Sequence, residues 1–273
     1  MNLAIAFFIF ILLLVVGILL RPQWVQWQRD RLKQKAFPPL WLALVEETLP
    51  FYSKLSPEQR RDLQGYIQVF LAEKQFIGCG GLQVTEEMRV RIAAIACLLL
   101  FNKRESYFWN LRSILIYPTA YFATETRVEH GITEEQRIVR LGESWSRDQL
   151  VLSWQQVQHD YRNWGDGHNV VLHEFAHQLD QETGTAEGVP ILQQKVDYQR
   201  WRSVMTAAYE GLCYAIQRGQ RTVFDPYGAT NPIEFFAVAT ETFFERSRSL
   251  QQAHPDLYAL LHRYYQLDPI AWQ

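Results

Sequence analysis

Residues Leu3 to Leu20 read LAIAFFIFILLLVVGILL, 18 positions without a charge. A run of that length has few homes in water, and it is long enough to cross a bilayer as one helix. A cleaved secretory signal would need a positive start, a shorter apolar centre and a small-x-small cleavage site. Here Met1-Asn2 carries no charged side chain, and bulky residues continue to Leu20 and Arg21. The expectation is an uncleaved transmembrane helix. Behind it stand Arg21, Arg29, Arg31, Lys33 and Lys35 against one acid, Asp30. That asymmetry places the flank, and the rest of the chain, in the cytoplasm. Trp24 and Trp27 suit the membrane interface, and the basic flank suits anionic lipid. The organisation expected is an anchor at 1–22, a basic juxtamembrane linker at 23–40 and one domain at 41–273.

The chemistry lies in His173-Glu174-Phe175-Ala176-His177. On a helix, residues four apart share a face, so His173 and His177 can hold one metal ion together. Two imidazoles suit zinc, and a neighbouring carboxylate, Glu174, suits a general base on water. With 7 His and 29 acids in 273 residues, about 0.02 such motifs arise by chance. Val170, Val171, Leu172, Phe175, Ala176 and Leu179 give the motif an apolar helical surround that dries and orients a metal site. Asp180 lies three residues beyond His177. Either it fixes a ligand imidazole's tautomer or it is a solvated acid near the helix end.

The remaining chain has the means to bury such a site: 48% of it is hydrophobic and 14% aromatic. A net charge of −2 argues against a nucleic-acid binder. Cys79, Cys97 and Cys213 form no metal-type pair and no disulfide framework, which fits a reducing compartment. Ser56-Pro57 starts a helix with an apolar stripe at Leu63, Ile67, Phe70 and Leu71, and Thr85 starts another that runs to about Phe101. Ile77 to Leu82 reads as a turn. Segments 113–117, 137–141 and 149–154 read as strands, with Gly142 to Trp145 as a turn between the last two. A loop follows Asp180, helix resumes from about Tyr198 to Gln217, and Asn231-Pro232 opens a last major helix. The fold class expected is α+β, a mainly helical domain with a small sheet, in the general layout of zincin peptidases.

Two His leave a hydrolytic zinc one protein ligand short. Glu182 and Glu187 fall in a loop, and Glu210 has no helix-start context. Glu234 and Glu241 are seven apart on one apolar helix, EFFAVATETFF, where an acid needs a partner. Glu234 also fits a capping box reaching back to Asn231, so position alone leaves both acids in play.

The blocks LSPEQRRDLQGYIQVFLAEKQF, GGLQVTEEMRVRIAAIACLLL, GESW, VLSW, NVVLHEFAHQLD and YGATNPIEFFAVATETFF together resemble the Mlc titration factor A family of zinc-dependent peptidases, from roughly residue 40 onward. The resemblance implies one Zn²⁺ per chain held by His173, His177 and Glu234, with Glu174 as catalytic acid–base. That family resembles the lethal-factor-type peptidases, which place a Tyr seven residues before the third ligand, where a phenol can donate to a developing oxyanion. Tyr227 stands there. The implied activity is hydrolysis of peptides or proteins, of aminopeptidase type, and an implied partner is a transcriptional regulator. The apolar span departs from the soluble family pattern. The alternative is a membrane-tethered protein that sequesters such a regulator, with structural zinc. A fourth protein ligand closing the site would mark that case.

Overall fold

The computed structural model describes residues 3–101, 106–119, 121–129, 132–140, 142–146, 148–184, 187–192 and 194–272. Helix α1 (Leu3–Lys33) is continuous through the basic flank. It is the one helix among the described residues long and apolar enough to cross a membrane, and none of that stretch is buried. Its last turns nevertheless dock on the domain. Helix α2 (Pro39–Thr48) follows, with Pro38 as N-cap and Pro39 in its first turn.

Helix α3 (Pro57–Glu73) opens on a full capping box: Ser56 Oγ accepts from Gln59 N at 3.1 Å, and Gln59 Oε1 accepts from Ser56 N at 2.9 Å. Strand β1 (Gln75–Gly78) comes next. Ile77 and Gly78, expected in a turn, are thus the end of a strand, because β1 pairs in parallel with β2 (Ser113–Tyr117), Phe76 opposite Ile114. Helix α4 (Glu86–Ala96) joins them. Thr85 caps it, and it tightens into a 3₁₀ turn at Cys97–Leu100.

Strands β3 (Tyr121–Glu129) and β4 (Ile132–Arg140) form a separate antiparallel hairpin. The expected strand 137–141 is the end of β4, with Leu141 outside the described residues. The 142–145 segment is not a turn. It forms β5 (Gly142–Ser146), antiparallel to β6 (Gln149–Ser153) with a bulge between Glu143 and Ser146. The main sheet runs β1-β2-β6-β5, three parallel strands and one antiparallel edge.

Ser153 caps α5 (Trp154–Arg162), and the metal-motif helix α6 (Val170–Gln181) follows. Then come α7 (Lys195–Gln217), α8 (Pro232–Glu245), α9 (Ser247–Ala253) and α10 (Pro255–Tyr265). Helix α8 lies against α6. Both are buried nearly throughout, in one core shared with α3, α4 and the sheet. Mainly helical with a small sheet, this is the fold class the sequence predicts.

Candidate metal centre

Helix α6 is fixed at its first residue by several buried groups. Asn169 caps it, its Oδ1 accepting from Leu172 N at 3.1 Å. Asp160 Oδ2 accepts from Val170 N at 2.7 Å, and Glu241 Oε2 accepts from Asn169 N at 2.6 Å. Glu245 takes the Gly165 N–H and, at 3.3 Å, the Asn169 side-chain amide. Burial pushes the Asp160 carboxyl up to about 6 and the Glu245 carboxyl up to about 8. These acids bind the N-terminal end of the helix, where peptide N–H groups and the helix dipole favour a carboxylate.

At the other end Asp180 is fully buried. Neither role open to it in the sequence holds: it accepts from Gly188 N at 2.9 Å and Val189 N at 2.7 Å, so its oxygens serve a loop. That loop crosses the start of α8. Gly188 has φ +72°, and a Cβ there would stand 2.6 Å from Pro232 O, so only glycine permits the approach.

These supports bring three side chains together. His173 and His177 project from one face of α6, and Glu234 reaches in from the first turn of α8. His173 Nε2 lies 3.1 Å from Glu234 Oε2, His177 Nε2 lies 3.3 Å from the same oxygen, and the two Nε2 atoms are 3.2 Å apart. Glu234 makes no capping box with Asn231. The Asn231 side chain caps α8 by itself, accepting from Ile233 N and Glu234 N at 2.9 and 3.0 Å, and that leaves the Glu234 carboxylate for the histidines. Burial raises the Glu234 carboxyl, but hydrogen bonds to His173 and His177 outweigh it and hold the group well below the usual range. Burial likewise opposes charge on His173, yet Glu241 and Glu234 outweigh it and hold that imidazole well above its usual value.

Glu241 does not join the triangle. Its Oε1 lies 2.7 Å from His173 Nδ1. With a metal bound, an Nδ1–H held by this carboxylate would leave the His173 Nε2 lone pair for the ion. His177 Nδ1 is buried without a hydrogen-bond partner among the described residues, and so is Glu174 Oε2. Burial raises the Glu174 carboxyl. Tyr227 is half exposed on the 3₁₀ turn Pro226–Ala229, its ring centroid 6.0 Å from that of His173.

The sequence profile of the family described as glucose-regulated metallo-peptidase M90 matches residues 24–266. This chain belongs to that family. An uncharacterised Synechocystis sp. protein, slr2042, is 47% identical over 251 residues, 91% of each chain. Mlc titration factor A of Pectobacterium atrosepticum is 31% identical over 241 residues, 85% of this chain and 89% of its own. The Klebsiella pneumoniae protein of the same name is 31% identical over 248 residues, 89% of this chain and 91% of its own.

A metallopeptidase family implies a metal ion, and the His173, His177 and Glu234 group fits one, its donor atoms lying within 4.8 Å of one another. Tetrahedral zinc with bonds of about 2.0–2.1 Å separates its ligand atoms by about 3.3–3.4 Å. The triangle observed, 3.1, 3.2 and 3.3 Å on its edges, already stands near that spacing. The group contains no fourth protein donor among the described residues. The sequence alone does not point to Asp160, Asn169 or Glu245. An Asn four residues before the first motif His carried a cap signal, whereas the two acids were brought in by tertiary packing alone.

Proposed function

We propose that this metallopeptidase is zinc-dependent and hydrolyses peptide bonds at the His173, His177 and Glu234 centre. The observation that carries the reading is the triangle of two imidazole nitrogens and one carboxylate oxygen beside a buried Glu174. When bound, zinc supplies a Lewis acid and lowers the pKa of a water toward neutrality. Glu174 takes a proton from the hydrolytic water and returns it to the leaving amine, and its raised pKa suits a group that must hold that proton. Tyr227 donates its phenol hydrogen to the developing oxyanion. Glu241 keeps the His173 ring in the required tautomer. A donor set of three supports a catalytic over a structural metal, since structural zinc sites are closed by four protein ligands.

The substrate is a peptide or protein, and the activity is of aminopeptidase type. The name Mlc titration factor A, carried by relatives, supports a regulator of the Mlc kind as a second partner. Residues 1–22 anchor the protein in a membrane and 41–273 carry the peptidase, with 23–40 between them. The basic residues after the span support a cytoplasmic domain. Zinc analysis of the purified full chain, with hydrolysis of free and N-blocked peptides before and after chelation, tests the chemistry. One zinc per chain is expected, with free peptides preferred and activity lost to chelator and restored by zinc. A zinc-loaded protein that cleaves nothing, or a metal-free one that is fully active, sinks the reading. Carbonate extraction tests the anchor: the chain stays in the pellet, and release into the supernatant removes it.

A further inference from the structure

The basic end of α1 is built into the domain. Arg29 meets Glu73 of α3 with two hydrogen bonds, Nε to Oε1 at 2.6 Å and Nη2 to Oε2 at 2.9 Å. Its guanidinium lies 4.5 Å from the centroid of the Tyr107 ring, and the Lys33 ammonium lies 5.7 Å from that ring. The Lys33 stem runs over Gly65, where a Cβ would come within 3.1 Å of it. The family profile, too, begins at residue 24, just past the apolar span.

What Arg29 covers is strained. Tyr107 and Phe108 have φ of +46° and +52°, the left-handed region that side chains other than glycine resist. Both are buried to 1% exposure. Such a pair persists only where its surroundings over-determine it. Lys74 Nζ, itself buried, donates to Phe108 O and Leu111 O, each at 2.8 Å. Phe70 stands 6.2 Å from Phe108, Tyr66 stands 6.0 Å from Tyr107, and Arg29 and Lys33 lie over the Tyr107 ring. Phe108 then stands edge-on to Phe175 of α6, 4.8 Å between centroids, and Phe70 touches Phe175 at 5.7 Å.

Phe175 lies on the far side of α6 from the histidines. At about 100° per residue it is roughly 160–200° round the helix from His173 and His177. Its seat therefore sets how far both imidazoles and Glu174 project. We propose that Arg29 is a positioning residue for the hydrolytic reaction, acting from α1 through the Tyr107–Phe108 turn on Phe175. The inference deepens the peptidase reading and rests on it.

The test uses the full chain in detergent or nanodiscs, with Arg29→Gln, Arg29→Lys and Glu73→Gln. Arg29→Gln lowers kcat by roughly tenfold, inside the 10²-fold that a small misplacement costs, with KM and zinc content unchanged. Arg29→Lys recovers most of the loss, because an ammonium still lies over Tyr107. Glu73→Gln, which keeps the guanidinium but loosens it, gives the same pattern more weakly and stands in if Arg29→Gln fails to fold. Hydrogen exchange on metal-free protein gives a readout apart from activity: amides of 106–111 and 172–177 exchange faster in Arg29→Gln than in wild type, while the other helices do not. Unchanged kcat with a lower Tm, or faster exchange confined to α1, overturns the proposal. Wild-type protein that cleaves no peptide sinks the peptidase reading separately, and the exchange result at 172–177 then decides the coupling alone.

Discussion

The two faces of α6 are built from opposite materials. On the front, His173, His177, Glu174, Glu234 and Glu241 hold charges and lone pairs in a largely dry space, where both His173 nitrogens, His177 Nε2, Glu234 Oε2 and the Glu241 carboxylate answer named partners. On the back, Phe175 meets Phe70 and Phe108 ring to ring. The front works by direction and the back by volume. A hydrogen-bonded front loses function when one oxygen changes, since an unpaired buried polar group is costly. An aromatic back loses stability in proportion to the area uncovered and tolerates changes that keep the ring.

Substitutions across the two faces test that difference. Glu234→Gln is expected to have the largest effect: the fold holds, but two remaining ligands are too few for a catalytic zinc, so dialysed protein is essentially metal-free. Zinc retained at wild-type level would place the third ligand elsewhere. Tyr227→Phe removes one donor to the oxyanion and should lower kcat by about 10²-fold with metal content intact. Wild-type kinetics would return Tyr227 to an ordinary turn residue. Glu241→Gln keeps the shape but weakens the hold on His173 and on Asn169, and a second-layer loss of this kind costs about 10–100-fold in affinity or activity. A complete loss of zinc there, with zinc kept in Glu234→Gln, would exchange the roles of the two acids. Tyr107→Phe should do least. Its hydroxyl is buried without a partner among the described residues, so removing it should raise thermal stability modestly, by roughly 1 kcal/mol. A large drop would show that the back face, too, depends on a directed bond.

Legibility in the sequence followed the same division. Signals that live within one helix were readable: the Ser56 and Thr85 caps, the Asn231-Pro232 start of α8, and the two His four apart on α6. The zinc-motif face and the apolar span of α1 needed no tertiary knowledge either. Contacts between elements were less accessible. Glu234 and Glu241 are equivalent by position, seven apart on one helix. What separates them is that Asn231 caps α8 unaided and that Glu241 falls beside His173 Nδ1. Asp180 was open because its real partners, the amides of Gly188 and Val189, lie across a loop. Strands β1 and β5 carry turn-like sequence at Ile77-Gly78 and Gly142–Trp145, where glycine and polar residues weaken the local preference and pairing with β2 and β6 overrides it. The Tyr107–Phe108 turn carries no sequence signal, since aromatic residues are poor candidates for a left-handed backbone.

The central claim is that Glu174 serves as the base and not as a ligand or a strut. Its substitution by Gln keeps the side chain's shape in a buried position and removes only the proton-accepting charge. Zinc content, melting temperature and peptide hydrolysis should therefore be measured together on Glu174→Gln and wild type. The account predicts one zinc per chain, an unchanged fold and a kcat lower by at least about 10²-fold. Zinc lost together with activity, or turnover at the wild-type rate with zinc in place, would contradict it.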